Sequence, residues 1–168
     1  MLFNRFVLRA KVIGAALVLS VNGIVIQSAS AAGSVAMQAE SLMKLAPQAY
    51  NMGMRNGDPA KWNQYFESKV RRTAPGIIVE GEAALQAYNQ WEFDTFNAKW
   101  VTKRITVHDL VGAMEYEWSA THKPSGDKIK IDGVAMFELG MSGKVKNIDF
   151  YFDSAGVDKY FQSAPGRK

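Results

Sequence analysis

The sequence predicts an α+β fold in which N-terminal helices pack against a strongly curved antiparallel sheet. Three observations carry that expectation. Up to about residue 97 the apolar residues recur at helical spacing, and from Ile105 onward they alternate with period two. Two loops, Lys123-Pro124-Ser125-Gly126-Asp127 and Ser142-Gly143, separate the alternating runs as hairpin turns do. Helices first and a meander of strands afterwards place the helices together on one face of the sheet.

Taken in order, Ser34 to Asn56 reads as a helix with Leu42, Leu45, Ala46, Ala49, Met52 and Gly53 on one stripe, and Pro47 implies a kink or a later start. Asn56-Gly57 is a stop. Asp58-Pro59 restarts the helix as cap and first residue, with Trp62, Tyr65 and Phe66 facing inward. Val70 to Thr73 is a short strand ended by Ala74-Pro75-Gly76. Gly81 opens a third helix, Glu82 to about Asn97, with Leu85, Tyr88, Trp91, Glu92 and Phe96 at helical spacing. Ile105–Val107 begins the sheet. In Ala113–His122 the residues Met114, Tyr116, Trp118 and Ala120 share one face, and Glu115 and Glu117 the other. In Lys128–Leu139 the residues Ile129, Ile131, Ala135, Phe137 and Leu139 oppose Lys128, Lys130, Asp132 and Glu138. Gly143–Asp153 is the closing strand.

The first 31 residues read differently. Arg5, Arg9 and Lys11 precede an apolar run, Val12–Ile26, and Ala29-Ser30-Ala31 has the small-x-small pattern of a signal-peptidase site. The run is shorter than the roughly 20 apolar residues of a membrane span and contains Asn22. The expectation is a leader over 1–31 cleaved after Ala31, no stable membrane anchor afterwards, and one domain over 32–168 in the periplasm or outside the cell. Three of the 20 cations lie in the leader, so 17 face 16 acids in the remainder. That near-neutral balance gives no basic face for nucleic acid. Without Cys, and with only His108 and His122, thiol catalysis and multi-histidine zinc sites are excluded, and no cofactor or metal is expected.

Several stretches carry a family resemblance. Tyr50 through Arg55-Asn56-Gly57-Asp58, then Gly81-Glu82-Ala83-Ala84-Leu85, then Phe137-Glu138-Leu139, Ser142-Gly143-Lys144 and Tyr151-Phe152-Asp153 resemble, in this order, the nuclear transport factor 2-like (NTF2-like) superfamily. The nearest branches look like the SnoaL-like polyketide cyclases, ketosteroid isomerase and limonene epoxide hydrolase. The resemblance implies a cone-shaped domain that binds apolar molecules and moves protons with carboxylates, a Tyr or a His in a dry pocket. Carried over position by position, the isomerase-type Tyr falls on Tyr50. The isomerase general base falls on Ala74, its second acid on Ala135 and the last-strand Asp on Phe150, none of which moves a proton. The cyclase-type His falls near Ala135 or Met136.

The resulting expectation is a domain that binds a small apolar molecule in its cone, or acts as a dimeric scaffold, without the relatives' usual acid–base catalysis. The alternative is an isomerase, cyclase or hydrolase using Tyr50 with an acid from Asp149, Glu117 or Asp132. Tyr50, Trp62, Phe66, Trp91, Trp118, Phe137 and Phe150 are the candidate ligand-binding residues, and Tyr50, Glu117 and Asp149 the catalytic candidates. Each has a plainer reading, since buried Tyr hydroxyls are common in cores and Glu opposite an aromatic face is usually solvated. Arg71-Arg72 reads as a solvated strand end. Val134 and Met136 on the uncovered sheet face suggest a homodimer.

Overall fold

The computed structural model describes the backbone from Val25 and side chains from Met37 to the C-terminus. The expected leader therefore lies mostly outside the described residues, and its cleavage position falls where only the backbone is described. No described helix is long and apolar enough to cross a membrane.

Helix α1 spans Val25–Asn56 and continues through Pro47. Its buried stripe is Ala39, Leu42, Met43, Ala46, Ala49, Tyr50 and Met54, whereas Leu45 and Met52, expected inward, are exposed. Gly57 (φ 67°) ends it. The restart is shorter than expected. Helix α2 is one turn, Ala60–Asn63, with the Asp58 carboxylate accepting from the Ala60 N–H at 2.9 Å. Phe66, expected on a helix, instead begins β1, Phe66–Ala74. A tight turn at Gly76 leads to β2, Ile77–Glu80, which has no alternation long enough to read from sequence.

Helix α3 is Glu82–Thr95. Strand β3, Phe96–His108, starts nine residues before the expected Ile105, because its first half continues the apolar spacing of the helix it follows. Strands β4 (Val111–His122), β5 (Lys128–Leu139) and β6 (Val145–Phe152) match the expected alternation. A 3₁₀ turn, Asp158–Phe161, leads into the C-terminal tail.

The six strands form one open sheet in the order β2-β1-β6-β5-β4-β3. It is mixed rather than purely antiparallel, since β1 runs parallel to β6 while every other neighbour is antiparallel. The two partners are distant in sequence, so no hairpin constrains their direction. Ladder irregularities at Thr102/Arg104, Glu138/Leu139 and Phe66/Arg71 bend the sheet around the helices. Gly133 supports the same curvature: a Cβ there would lie 2.8 Å from the Tyr116 hydroxyl and 2.6 Å from the Tyr151 carbonyl oxygen. The core between sheet and helices is dense in edge-to-face aromatic pairs, with Tyr50 against Trp62, Phe93 and Trp100 at 5.4–5.7 Å.

Candidate functional site

Between the helices and the concave sheet lies a narrow cleft with about 40 Å³ of free volume, enough for on the order of three water molecules. Its walls are mainly aromatic and aliphatic, and α1, α2, α3, β1, β3, β4, β6 and the C-terminal 3₁₀ turn all send polar or aromatic groups into it. Tyr50 arrives from the buried stripe of α1. Glu92 arrives from the inward face of α3, one turn after Tyr88. Trp118 comes from β4, on the face it shares with Met114 and Tyr116.

These three form a directed chain. The Trp118 Nε1–H donates to the Tyr50 hydroxyl at 2.9 Å, and the Tyr50 hydroxyl donates to Glu92 Oε1 at 3.0 Å. An indole N–H can only donate, so it fixes the direction of the Tyr50 proton toward the carboxyl. Tyr50 and Glu92 are only 2% and 6% exposed. Burial pushes the Glu92 carboxyl above its ordinary pKa, while Arg72 and the Tyr50 hydrogen bond pull it back. Burial, then the nearby Glu92 charge, push the Tyr50 phenol well above its ordinary value, keeping it a donor at any physiological pH. Tyr88 and Tyr116 are raised as well, first by burial.

Arg72 is the remaining charged group. Period-two alternation in β1 sets it inward with Val70, and it is 8% exposed, in contrast to the solvated strand end expected from sequence. Its guanidinium lies 3.9 Å from the ring centre of Tyr88 and 4.7 Å from that of Phe150. Arg71, its neighbour, points outward to Glu80 and Asp149. The helix side of the cleft is pinned by Asn51, whose amide donates to the Trp100 carbonyl and whose amide oxygen accepts from the Trp100 N–H, both at 2.7 Å. Strand β3 is a sheet edge, and these two bonds occupy backbone groups that would otherwise be unpaired.

The sequence candidates divide clearly. Tyr50, Trp62, Trp118 and Phe150 line the cleft. Phe137 is fully buried in the core beyond it, Trp91 packs between Tyr88 and Phe161, and Phe66 borders a separate, shallower polar groove near Asp58 and Lys144. The acids proposed to accompany Tyr50 are on the other side of the sheet. Glu117 bonds Lys130 at 2.8 Å and lies 3.5 Å from Lys103, and the Lys130 bond foremost lowers its pKa. Asp132 pairs with Lys103, and Asp149 accepts from Thr73. Period two sends these side chains outward while Tyr116, Trp118, Ile131 and Phe150 point in.

Glu92 and Arg72 are the site residues that sequence reasoning did not single out. Glu92 carried a signal, an acid on an otherwise apolar helical stripe. Arg72 carried one too, a cation in phase with Val70 and Ala74. Of the residues onto which the resemblance carried the acids, Ala74 lines the cleft, Phe150 lies against Arg72, and Ala135 is buried. Among the described residues no group of three His or acidic side chains is placed to hold a metal ion.

The SnoaL-like domain family matches residues 48–148, more than half of the chain. No protein with a curated description matches. Among solved structures, a protein of Jannaschia sp. CCS1 assigned as a SnoaL-like polyketide cyclase is similar at TM-score 0.65 and 19% identity, over 78% of this chain and 96% of that one. A Mycobacterium tuberculosis epoxide hydrolase of the LEH-like type is similar at TM-score 0.60 and 13% identity, over 74% and 90%. RV0760c of the same organism, solved in complex with estradiol-17β-hemisuccinate, is similar at TM-score 0.56 and 12% identity, over 65% and 92%. At these identities the likeness establishes the fold alone. With the family match spanning α1 to β6, this chain belongs to the SnoaL-like domain family.

Proposed function

We propose that the domain takes a small, largely apolar molecule into its cone and exchanges a proton with it through Glu92, with Tyr50 as the hydrogen-bonding partner. The observation that carries this reading is the buried 3.0 Å bond from the Tyr50 hydroxyl to Glu92 Oε1 inside an aromatic cleft. A general base or acid is most effective when its pKa is moved toward working pH, and burial moves Glu92 in that direction. Among the described residues only Oε1 is hydrogen-bonded, which leaves Oε2 for the reacting proton. The reaction class is proton abstraction and return beside a carbonyl, as an isomerase or cyclase requires. The cleft is smaller than most ligands, so its walls must move apart to admit one.

A panel of small enolisable ketones in D₂O, followed by proton NMR, tests this. Exchange at the α-carbon above background, falling roughly 10²- to 10⁴-fold in Glu92→Gln, supports the reading. Exchange that is unchanged in Glu92→Gln rejects it.

A second reading, binding without catalysis, is supported by Ala74, Ala135 and Phe150, none able to move a proton, at the positions onto which the family resemblance carries the acids. It requires ligand binding with no exchange in any ketone of the panel. Export of the domain after removal of residues 1–31 remains part of the proposal, and N-terminal sequencing of the secreted form tests it. We also propose a homodimer through the uncovered sheet face, where Tyr151 is exposed beside half-buried Val134 and Met136.

A further inference from the structure

Two donors in the cleft have nothing to donate to. Arg72 Nη1 and Trp100 Nε1 are both buried without a hydrogen-bond partner, and both residues line the cleft. They also meet on one side chain: the Arg72 guanidinium lies 4.7 Å from the Phe150 ring centre, and the Trp100 ring 5.7 Å from it. Buried polar groups in folded proteins are nearly always bonded, so each orphan needs a partner the chain does not supply.

The chemistry of that partner follows from what surrounds Arg72. Among the described residues it forms no ion pair within 4 Å. Tyr88 and Phe150 hold it by their ring faces, which attract the cation but offer no lone pair in the guanidinium plane. Stacked this way, the guanidinium keeps Nη1 free for an oxygen, and a carboxylate supplies one with the charge that matches the cation. A single cation beside the buried Glu92 suits a monoanion and disfavours a dianion such as phosphate. The rest of the cleft, with Ile77, Ile131, Trp62 and Phe152, is apolar.

We infer that the ligand of this cleft is a small organic monocarboxylate, its carboxylate on the Arg72 guanidinium, its apolar body on the aromatic walls, and the Trp100 N–H available to a further oxygen. The inference rests on the cone as a ligand cavity, and is independent of proton transfer by Glu92.

Calorimetric titration of the full domain with butyrate and benzoate, each against its neutral amide, and with phenyl phosphate, tests it. The acids should bind roughly ten- to a hundredfold more tightly than their amides, the value of hydrogen bonds to a charged group removed from water. Arg72→Gln should erase that preference and Arg72→Lys should keep part of it. If Arg72→Gln fails to fold, as judged by circular dichroism, the acid–amide comparison in the wild type and Arg72→Lys carry the test. Acid and amide binding equally would overturn the carboxylate assignment and leave the cavity reading standing. A preference that survives Arg72→Gln, or tighter binding of phenyl phosphate, would also overturn it. Neither acid nor amide binding at millimolar concentration would overturn both.

Discussion

Tyr50 sits between Trp118, which can only give a hydrogen bond, and Glu92, which takes one. Replacing it with Phe strands a buried indole N–H and a buried carboxyl oxygen together. Tyr50→Phe should therefore cost about 1–3 kcal/mol in a denaturant titration, more than a surface hydroxyl would. Glu92→Gln keeps the acceptor for Tyr50 and removes the charge. Its sign follows from linkage. The Glu92 pKa is raised on folding, so the native state holds the proton more tightly than the unfolded chain. Stability contributed by this group is present below the unfolded value of 4.5 and is lost as pH rises through the folded pKa. Glu92→Gln should flatten that decline and melt at a higher temperature than the wild type at neutral pH, while losing proton exchange. By contrast Glu117→Gln, on the outer face, should lower the melting temperature only slightly at neutral pH, through its lost bond to Lys130, and leave exchange unchanged. At this scale the sequence exposed Tyr50 through a family position, yet directed attention to Glu117 and Asp149. Those two stand out because acids in strands are conspicuous, and Glu92 was hidden within a helix whose apolar stripe it shares.

Helix α1 is fastened to the sheet edge by Asn51 alone among its described polar side chains, with two 2.7 Å bonds to the Trp100 backbone. Asn51→Ala should cost about 1–3 kcal/mol and loosen the side of the cleft that carries Tyr50, readable as lower melting temperature and faster amide exchange in β3. The C-terminal tail closes the other end. The 3₁₀ turn brings Phe161 against Trp91, Phe96 and Trp118, while Arg167 pairs with Asp158 at 2.5 Å and the Ile78 N–H bonds Gly166 at 2.9 Å. Ending the chain after Ser154 removes Phe161 from the cleft wall and should make Trp118 fluorescence more accessible to a neutral quencher such as acrylamide. Neither the Asn51 cap nor the tail was legible beforehand. A one-turn tail has no period to detect, and an edge-strand cap depends on which strand is last in the sheet.

For the whole molecule, alternation in β4, β5 and β6 was legible because one face is core and the other solvent, so every second residue declares its side. The parallel β1–β6 contact was not, since pairing between strands some seventy residues apart leaves no local trace. The cleft is the product of that long-range arrangement, which is why its residues were only partly foreseeable. The outer face of the sheet carries the Lys103, Glu117, Lys130 and Asp132 cluster beside the Val134, Met136 and Tyr151 patch. Under the dimer proposal, sedimentation velocity should give a dimer that Met136→Glu dissociates while leaving the Tyr50–Glu92 site intact. The central claim concerns the inside of the cone: a carboxyl held in a dry aromatic cleft and poised for proton transfer. Carbon-13 NMR of the Glu92 side-chain carboxyl, titrated with pH in the wild type and in Tyr50→Phe, measures this most directly. A Glu92 pKa above the ordinary glutamate value, higher still when the Tyr50 hydroxyl is removed, is the predicted result. A carboxyl that titrates at or below the ordinary value would contradict the account.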